Sequence, residues 1–248
     1  MLAVMGAMDE EVRLLRAEMS GIRESRHAGI LVATGEFLGT PIALAQCGIG
    51  KVNATICTQM LINLYQPYAL VFSGVAGGLL PSLDIGDLVV ASHLVQFDID
   101  LTAFGRRHGE LPNSDRVIQS DPVLVEKTAE AFHAAFPAGE PGPKLMIGTV
   151  VSGDRFVGDS TTLQWLQQEF GALATEMEGA AVGYTCQLNG LPFVVTRGLT
   201  DAANEAAITD YEANLETVCL NSFRLLERLI PALRRGPYPV GKRSRLAG

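Results

Sequence analysis

The chain of 248 residues reads as an α/β protein: a mixed, mostly parallel central sheet with helices on both faces. Three observations lead there. Short, wholly apolar runs such as LAVMG and PFVV are the pattern of strands buried on both sides. They alternate with longer segments of helical periodicity, and strands alternating with helices predict parallel pairing. A hairpin pattern near the start makes the sheet mixed. No repeat, low-complexity block or Pro/Gly/Ser-rich linker breaks this alternation before the last residues, so one domain over 1–235 is expected, with 236–248 as a flexible basic tail.

Leu2–Gly6 is the first strand. Residues 9–19 form a helix: Val12, Leu14, Leu15 and Met19 make an apolar stripe, and Asp9, Glu10 and Glu11 occupy the first turn, where the helix dipole favours negative charge. Residues 29–37 and 41–47 pair as a hairpin about Leu38, Gly39 and Thr40, and 51–64 are helical. Residues 69–73 are a strand that stops at GVAGG, 87–97 are another, and 98–120 are irregular around Pro112, Asn113 and Ser114. Residues 121–136 are a helix with Asp121 as N-cap before Pro122. There follow a strand at 144–151, a helix at Ser160–Phe170, a strand at 172–175, and a helix at 178–188 ended by Asn189 and Gly190. A strand at 192–199 and a long closing helix at 209–233 complete the chain.

Composition narrows the function. The net charge is −8, which argues against a nucleic-acid partner; the basic residues Arg234, Arg235, Lys242, Arg243 and Arg245 gather at the end and read as a solvated tail. Hydrophobic residues make up 48% and charged residues 19%, so the surface is rather apolar and fit to be covered by a second copy. Cys47, Cys57, Cys186 and Cys219 form no CxxC pair and read as small core residues in a reducing compartment. The four histidines lack zinc spacing, so no metal site is expected. With no secretory-type start and no apolar stretch of ~20 residues, a soluble cytoplasmic protein is expected.

Three acidic residues carry the chemistry. Glu11, Glu178 and Asp201 each stand just past an apolar run, near the carboxyl end of a strand, where open α/β sheets bind ligands. Converging carboxylates without a metal-ligand cluster point to acid/base work on a polar organic molecule, with water attack the first reaction to consider. Plainer readings stand beside this one: Glu11, Glu176 and Glu178 could merely complement helix dipoles, and Asp201 could be a turn residue. GIGKVNA (48–54) and SGVAGGL (73–79) are either ligand-contacting glycine segments or structural turns. Met8, Met177, Phe156 and Tyr211 are either pocket-wall or core residues. Ser152 and Thr200 have no triad partners.

MGAMDEEV, CGIGKVNA, SGVAGGL, DLTAFGRRHGELP, VSGDRFV, TEMEGAAV and RGLTDAAN occur in this order. Together they resemble the bacterial 5′-methylthioadenosine/S-adenosylhomocysteine nucleosidases of the nucleoside phosphorylase superfamily, from Met1 to about Arg235. The resemblance implies a single-domain, three-layer α/β/α sandwich, a homodimer, and cleavage of the adenine–ribose bond by water without cofactor. It implies Glu11 as the carboxylate handling the water and Asp201 as the acid at N7 of adenine. It implies Glu178, with Glu176 and Met177 beside it, at the ribose, and Phe156 and Val157 at the base. Met8 and Ile49 stand at pocket-wall positions, and Val75 and Arg197 near the water and carboxylates. Leu101, Phe104 and Pro112 match a segment reaching the neighbouring subunit's site, and Tyr211 an aromatic on a closing stretch. Two departures stand out: Val75 replaces a serine hydroxyl, and Tyr211 replaces a phenylalanine. The physiological role so implied is methionine salvage and recycling of S-adenosylmethionine by-products, with 5′-deoxyadenosine a further substrate. A futalosine-type hydrolase and a catalytically silent nucleoside-binding protein are the alternatives. A phosphorylase would need an arginine cradle, and the glycine-rich segments carry no arginine.

Adenine leaves well only if protonated, so Asp201 must hold a proton near neutrality, far above its ordinary pKa of ~3.9. Burial beside apolar groups would raise that value and Arg197 would lower it; the sequence leaves the balance open. Glu11, by a helix N-terminus, is expected to stay ionised as general base.

Overall fold

The structure, a computed structural model, describes residues 1–234. Arg235 and the expected tail 236–248 lie outside the described residues. The strands are β1 (Leu2–Gly6), β2 (Ser20–His27), β3 (Ile30–Phe37), β4 (Thr40–Gln46), β5 (Leu70–Gly78), β6 (Leu88–Gln96), β7 (Ile118–Gln119), β8 (Leu145–Ser152), β9 (Ala172–Glu176) and β10 (Phe193–Asp201). The helices are α1 (Asp9–Ala17), α2 (Lys51–Tyr65), α3 (Pro122–Ala135), α4 (Ser160–Phe170), α5 (Gly179–Leu188) and α6 (Ala207–Ala232), with a 3-10 turn at Thr102–Phe104.

The sheet runs in the order β10-β6-β8-β9-β5-β1-β4-β3-β2, with β7 beside β6. Strand β10 also pairs with β5, so β5, β10, β6, β8 and β9 close into a ring from which β1, β4, β3 and β2 extend as an open wing. Pairing is parallel for β1–β4, β1–β5, β5–β10, β6–β8 and β8–β9. It is antiparallel for the hairpin strands and where β10 meets β6 and β9 meets β5. Helices cover both faces. Alternate residues of β1 show why its run is wholly apolar: Ala3 and Met5 pack with α2 and α5, while Leu2 and Val4 pack with α1, α3 and α6.

Helix α3 starts where Asp121 caps it, its Oδ1 accepting from the backbone N–H groups of Val123 and Leu124 at 3.0 Å each. Three elements differ from expectation. Strand β5 does not stop at GVAGG but continues through Gly78, because Gly77 and Gly78 pair with Thr175 and Ala174 and so close the ring. Strand β10 likewise runs on to Asp201, paired with β5 across a bulge between Leu199 and Asp201. Strand β2 was missed. It is a mostly exposed edge strand, SGIRESRH, whose charged residues carry no apolar alternation.

Candidate active site

Glu11, Asp201 and Glu178 are all brought to the carboxyl-end side of β1, β5, β9 and β10. Glu11 lies in the first turn of α1, and its side chain folds back over that turn. Oε2 accepts from the N–H groups of Ala7 (2.6 Å) and Met8 (3.0 Å), and Oε1 from the N–H of Val75 on β5 (3.0 Å). Three backbone donors thus fix both oxygens. Burial nevertheless pushes the Glu11 carboxyl above its ordinary pKa, outweighing Arg197 and the three N–H groups. This corrects the expectation from the helix dipole alone: desolvation is the larger influence.

Asp201 ends β10 and is buried. Its Oδ1 accepts from Ala203 N–H at 2.9 Å and its Oδ2 from the Thr200 hydroxyl at 2.9 Å. Burial raises its pKa against these two bonds. Arg197 is not the opposing influence foreseen from sequence. Its guanidinium, 1% exposed, lies over the Phe72 ring at 4.2 Å and donates to Glu176 Oε2 from Nη2 (2.5 Å) and Nε (3.2 Å).

Glu176 therefore faces protein, not an open site. Besides Arg197, it accepts from the Ser152 hydroxyl and from the N–H groups of Glu178 (3.1 Å) and Gly179 (2.7 Å). It lines the cleft, and its carboxylate braces Arg197 and the start of α5. Glu178, two residues on, is held by a single backbone donor, Gly50 N–H at 2.6 Å. Gly50 has φ +97, a conformation suited to glycine, and it presents that N–H from the turn before α2. Burial, with the nearby Glu176 charge, raises the pKa of Glu178. GIGKVNA is thus a turn that holds a carboxylate.

Phe156, Val157, Met177, Thr175, Glu176, Gly77, Arg155 and Asp201 line one cleft. Tyr211 stands at its rim, its ring edge-on to Phe156 at 6.2 Å and its hydroxyl donating to Met8 Sδ at 3.2 Å. Val75 reaches the site through its N–H, which the sequence could not show. Ile49 is exposed beside the same turn. Leu101, Phe104 and Pro112 are not drawn to this chain's cleft: Phe104 is 81% exposed at the 3-10 turn and Pro112 is also exposed. A larger groove lies elsewhere, among Phe132, His133, Phe136, Arg224 and the 137–143 loop, but it holds no pair of buried carboxyls.

The Glu11 carboxylate accepts from the Val75 N–H, and the Asp201 backbone pairs with Gly77, so the two residues meet β5 two positions apart. At a strand rise of ~3.3 Å, their anchor points are roughly 7 Å apart. That span admits a small molecule's scissile bond and a water between an acid and a base, as in inverting glycosidases.

The phosphorylase superfamily model matches residues 1–231. A 5′-methylthioadenosine/S-adenosylhomocysteine nucleosidase of Geobacillus kaustophilus is 36% identical, across 95% of this chain and 99% of the relative. Among solved structures, the Neisseria meningitidis nucleosidase in complex with methylthio-immucillin-A superposes with a TM-score of 0.89 at 33% identity, covering 94% of this chain and 99% of that one. The futalosine hydrolase of Helicobacter pylori superposes with a TM-score of 0.88 at 34% identity, covering 94% and 97%.

Proposed function

The chain belongs to the phosphorylase superfamily, and from that membership and the two carboxyl residues that meet β5 two positions apart we propose that it is an N-ribosyl hydrolase of the methylthioadenosine/S-adenosylhomocysteine nucleosidase type. Its substrates are 5′-methylthioadenosine, S-adenosylhomocysteine and 5′-deoxyadenosine. The observation that carries the reading is the unequal setting of two carboxyls at neighbouring stations of one strand.

Water oxygen bonds to C1′ as the C1′–N9 bond breaks. Glu11 takes the water's proton, and its raised pKa makes it the stronger base for that task. Asp201 gives its proton to N7, so adenine departs neutral; burial keeps that proton on more of the molecules at neutral pH. Glu178 accepts from the ribose hydroxyls and fixes the sugar between them, with Met177 against it. Phe156 and Val157 hold the base, and Tyr211 with Met8 closes the 5′ side. Glu176 holds Arg197 in place.

The working form is a homodimer in which Leu101, Phe104 and Pro112 of one protomer complete the 5′ pocket of the other. The exposed Phe104 and the exposed apolar Ile49, Val52 and Ile56 at α2 support this. The physiological setting is methionine salvage and by-product recycling in the cytoplasm. Free, buried cysteines fit a reducing compartment, and among the described residues no helix is long and apolar enough to cross a membrane.

Incubation with 5′-methylthioadenosine and an assay for free adenine, with and without phosphate, tests the reaction. A ribose-1-phosphate product formed only with phosphate would replace hydrolysis by phosphorolysis. The equally good superposition of a futalosine hydrolase keeps one substrate rival in view. A panel of 5′-substituted nucleosides ranked by kcat/KM separates the two.

A further inference from the structure

Three residues stand in a row across three strands: Asp201 pairs with Gly77 on β5, and Gly77 pairs with Thr175 on β9. Directly paired residues point to the same face of a sheet. The middle member has no side chain, and a methyl group on Gly77 would stand 2.7 Å from Asp201 Oδ1. The glycine therefore leaves a notch, with the Asp201 carboxyl on one side and Thr175 on the other. Thr175 also pairs with Val151, which belongs to one core cluster with Val157 and Ala203, and Val157 lines the same cleft. Its neighbour Glu176 points the other way, toward Arg197 and the start of α5.

Thr175 lines the cleft, is 5% exposed, and its hydroxyl has no hydrogen-bond partner. A buried hydroxyl without a partner is uncommon, because burial strips it of water. Valine fills the same volume and would suit an apolar wall without that penalty. Resting on the proposed nucleosidase reading, we propose that Thr175 is a specificity residue of the leaving-group pocket, its hydroxyl bonding the 6-substituent of the purine whose N7 faces Asp201. In a purine, N7 and the 6-substituent share one edge, so groups flanking one notch can engage both. A hydroxyl donates as well as accepts, so the contact serves a 6-amino and a 6-oxo base alike.

The test compares wild type with T175V and T175S, using 5′-methylthioadenosine and its analogue with hydrogen at C6. T175V is expected to lose roughly tenfold in kcat/KM on the 6-amino substrate and almost nothing on the 6-hydrogen analogue. T175S should restore most of the loss, and T175V should melt no lower than wild type. Dissociation constants for free adenine and free purine read the same contact without turnover. If T175V weakens both bases equally, or neither, the proposal is overturned. Wild-type protein that binds the bases with the expected difference yet releases no adenine would instead overturn the nucleosidase reading alone.

Discussion

Glu11 and Asp201 are carboxyl residues that meet β5 two positions apart, and their surroundings differ in kind. Glu11 is gripped through both oxygens by three backbone N–H groups from two elements. Asp201 has one backbone donor and one hydroxyl. Burial raises the pKa of each, but at Glu11 it works against Arg197 and three donors, whereas at Asp201 no cation opposes it. On the proposed reading, the first setting suits a carboxylate that takes a proton and the second a carboxyl that keeps one for the base. Burial alone does not assign acid and base; the partners that resist it do.

Removing the weaker-held member should do the most damage. D201N keeps the shape and the Ala203 bond but has no acidic proton to give, so kcat is expected to fall by about 10³–10⁴-fold with the fold intact. In wild type, kcat should fall as pH rises through the raised Asp201 pKa, because the acid works only while protonated. Adenine release by D201N at near-normal kcat would take the acid role from Asp201.

E11Q should be the next largest. The amide oxygen can still accept from the backbone, so substrate analogues should bind almost normally while kcat drops by about 10²–10³-fold. Equal losses in analogue affinity and turnover would instead make Glu11 a ligand anchor, and the contrast with Asp201 would dissolve.

The legible part of this site was the part carried by short contiguous motifs. MGAMDEEV put Glu11 beside Met8, and RGLTD put Asp201 at a strand end, so both could be placed from sequence patterns. What stayed hidden depends on contacts between distant segments. The dipole at Glu11 is a local property, but the burial that raises its pKa belongs to the tertiary fold, so the dipole alone points the wrong way. The saturation of Glu176 needs Ser152 and Arg197, each more than 20 positions away. The Asp201–Gly77–Thr175 row exists only because the ring closes at GVAGG, a run whose glycines look like a turn. Strand β2 left no trace because an edge strand buries too little to need apolar residues.

E176Q sharpens the contrast between a braced carboxylate and a working one. Arg197 would lose its charged partner while remaining buried, so the fold should lose about 3 kcal/mol, read as a lower urea midpoint at unchanged slope. E178Q, two residues along, should leave that midpoint almost unmoved and raise KM instead. Equal stability losses for the two variants would mean that Glu178 is a brace as well.

The smallest effect is shared by three carboxyls. Glu11, Glu178 and Asp201 all have folded-state pKa values above their ordinary ones. The folded protein therefore holds more protons than the unfolded chain between the ordinary carboxyl range and those raised values. Their contribution to stability is full below about pH 4 and is lost as pH rises through the folded values. The surface carboxyls with lowered values, Asp100, Glu110, Asp159 and Glu205, run in the opposite sense, but solvent screens them and they act only at acid pH. Urea unfolding should accordingly show a higher midpoint at pH 5.5 than at pH 8. D201N should shrink that difference, since an amide does not titrate. A midpoint that rises with pH across this window would mean that the carboxyls are ionised together at little cost, and the division between a proton-holding end and a proton-accepting end would lose its electrostatic basis.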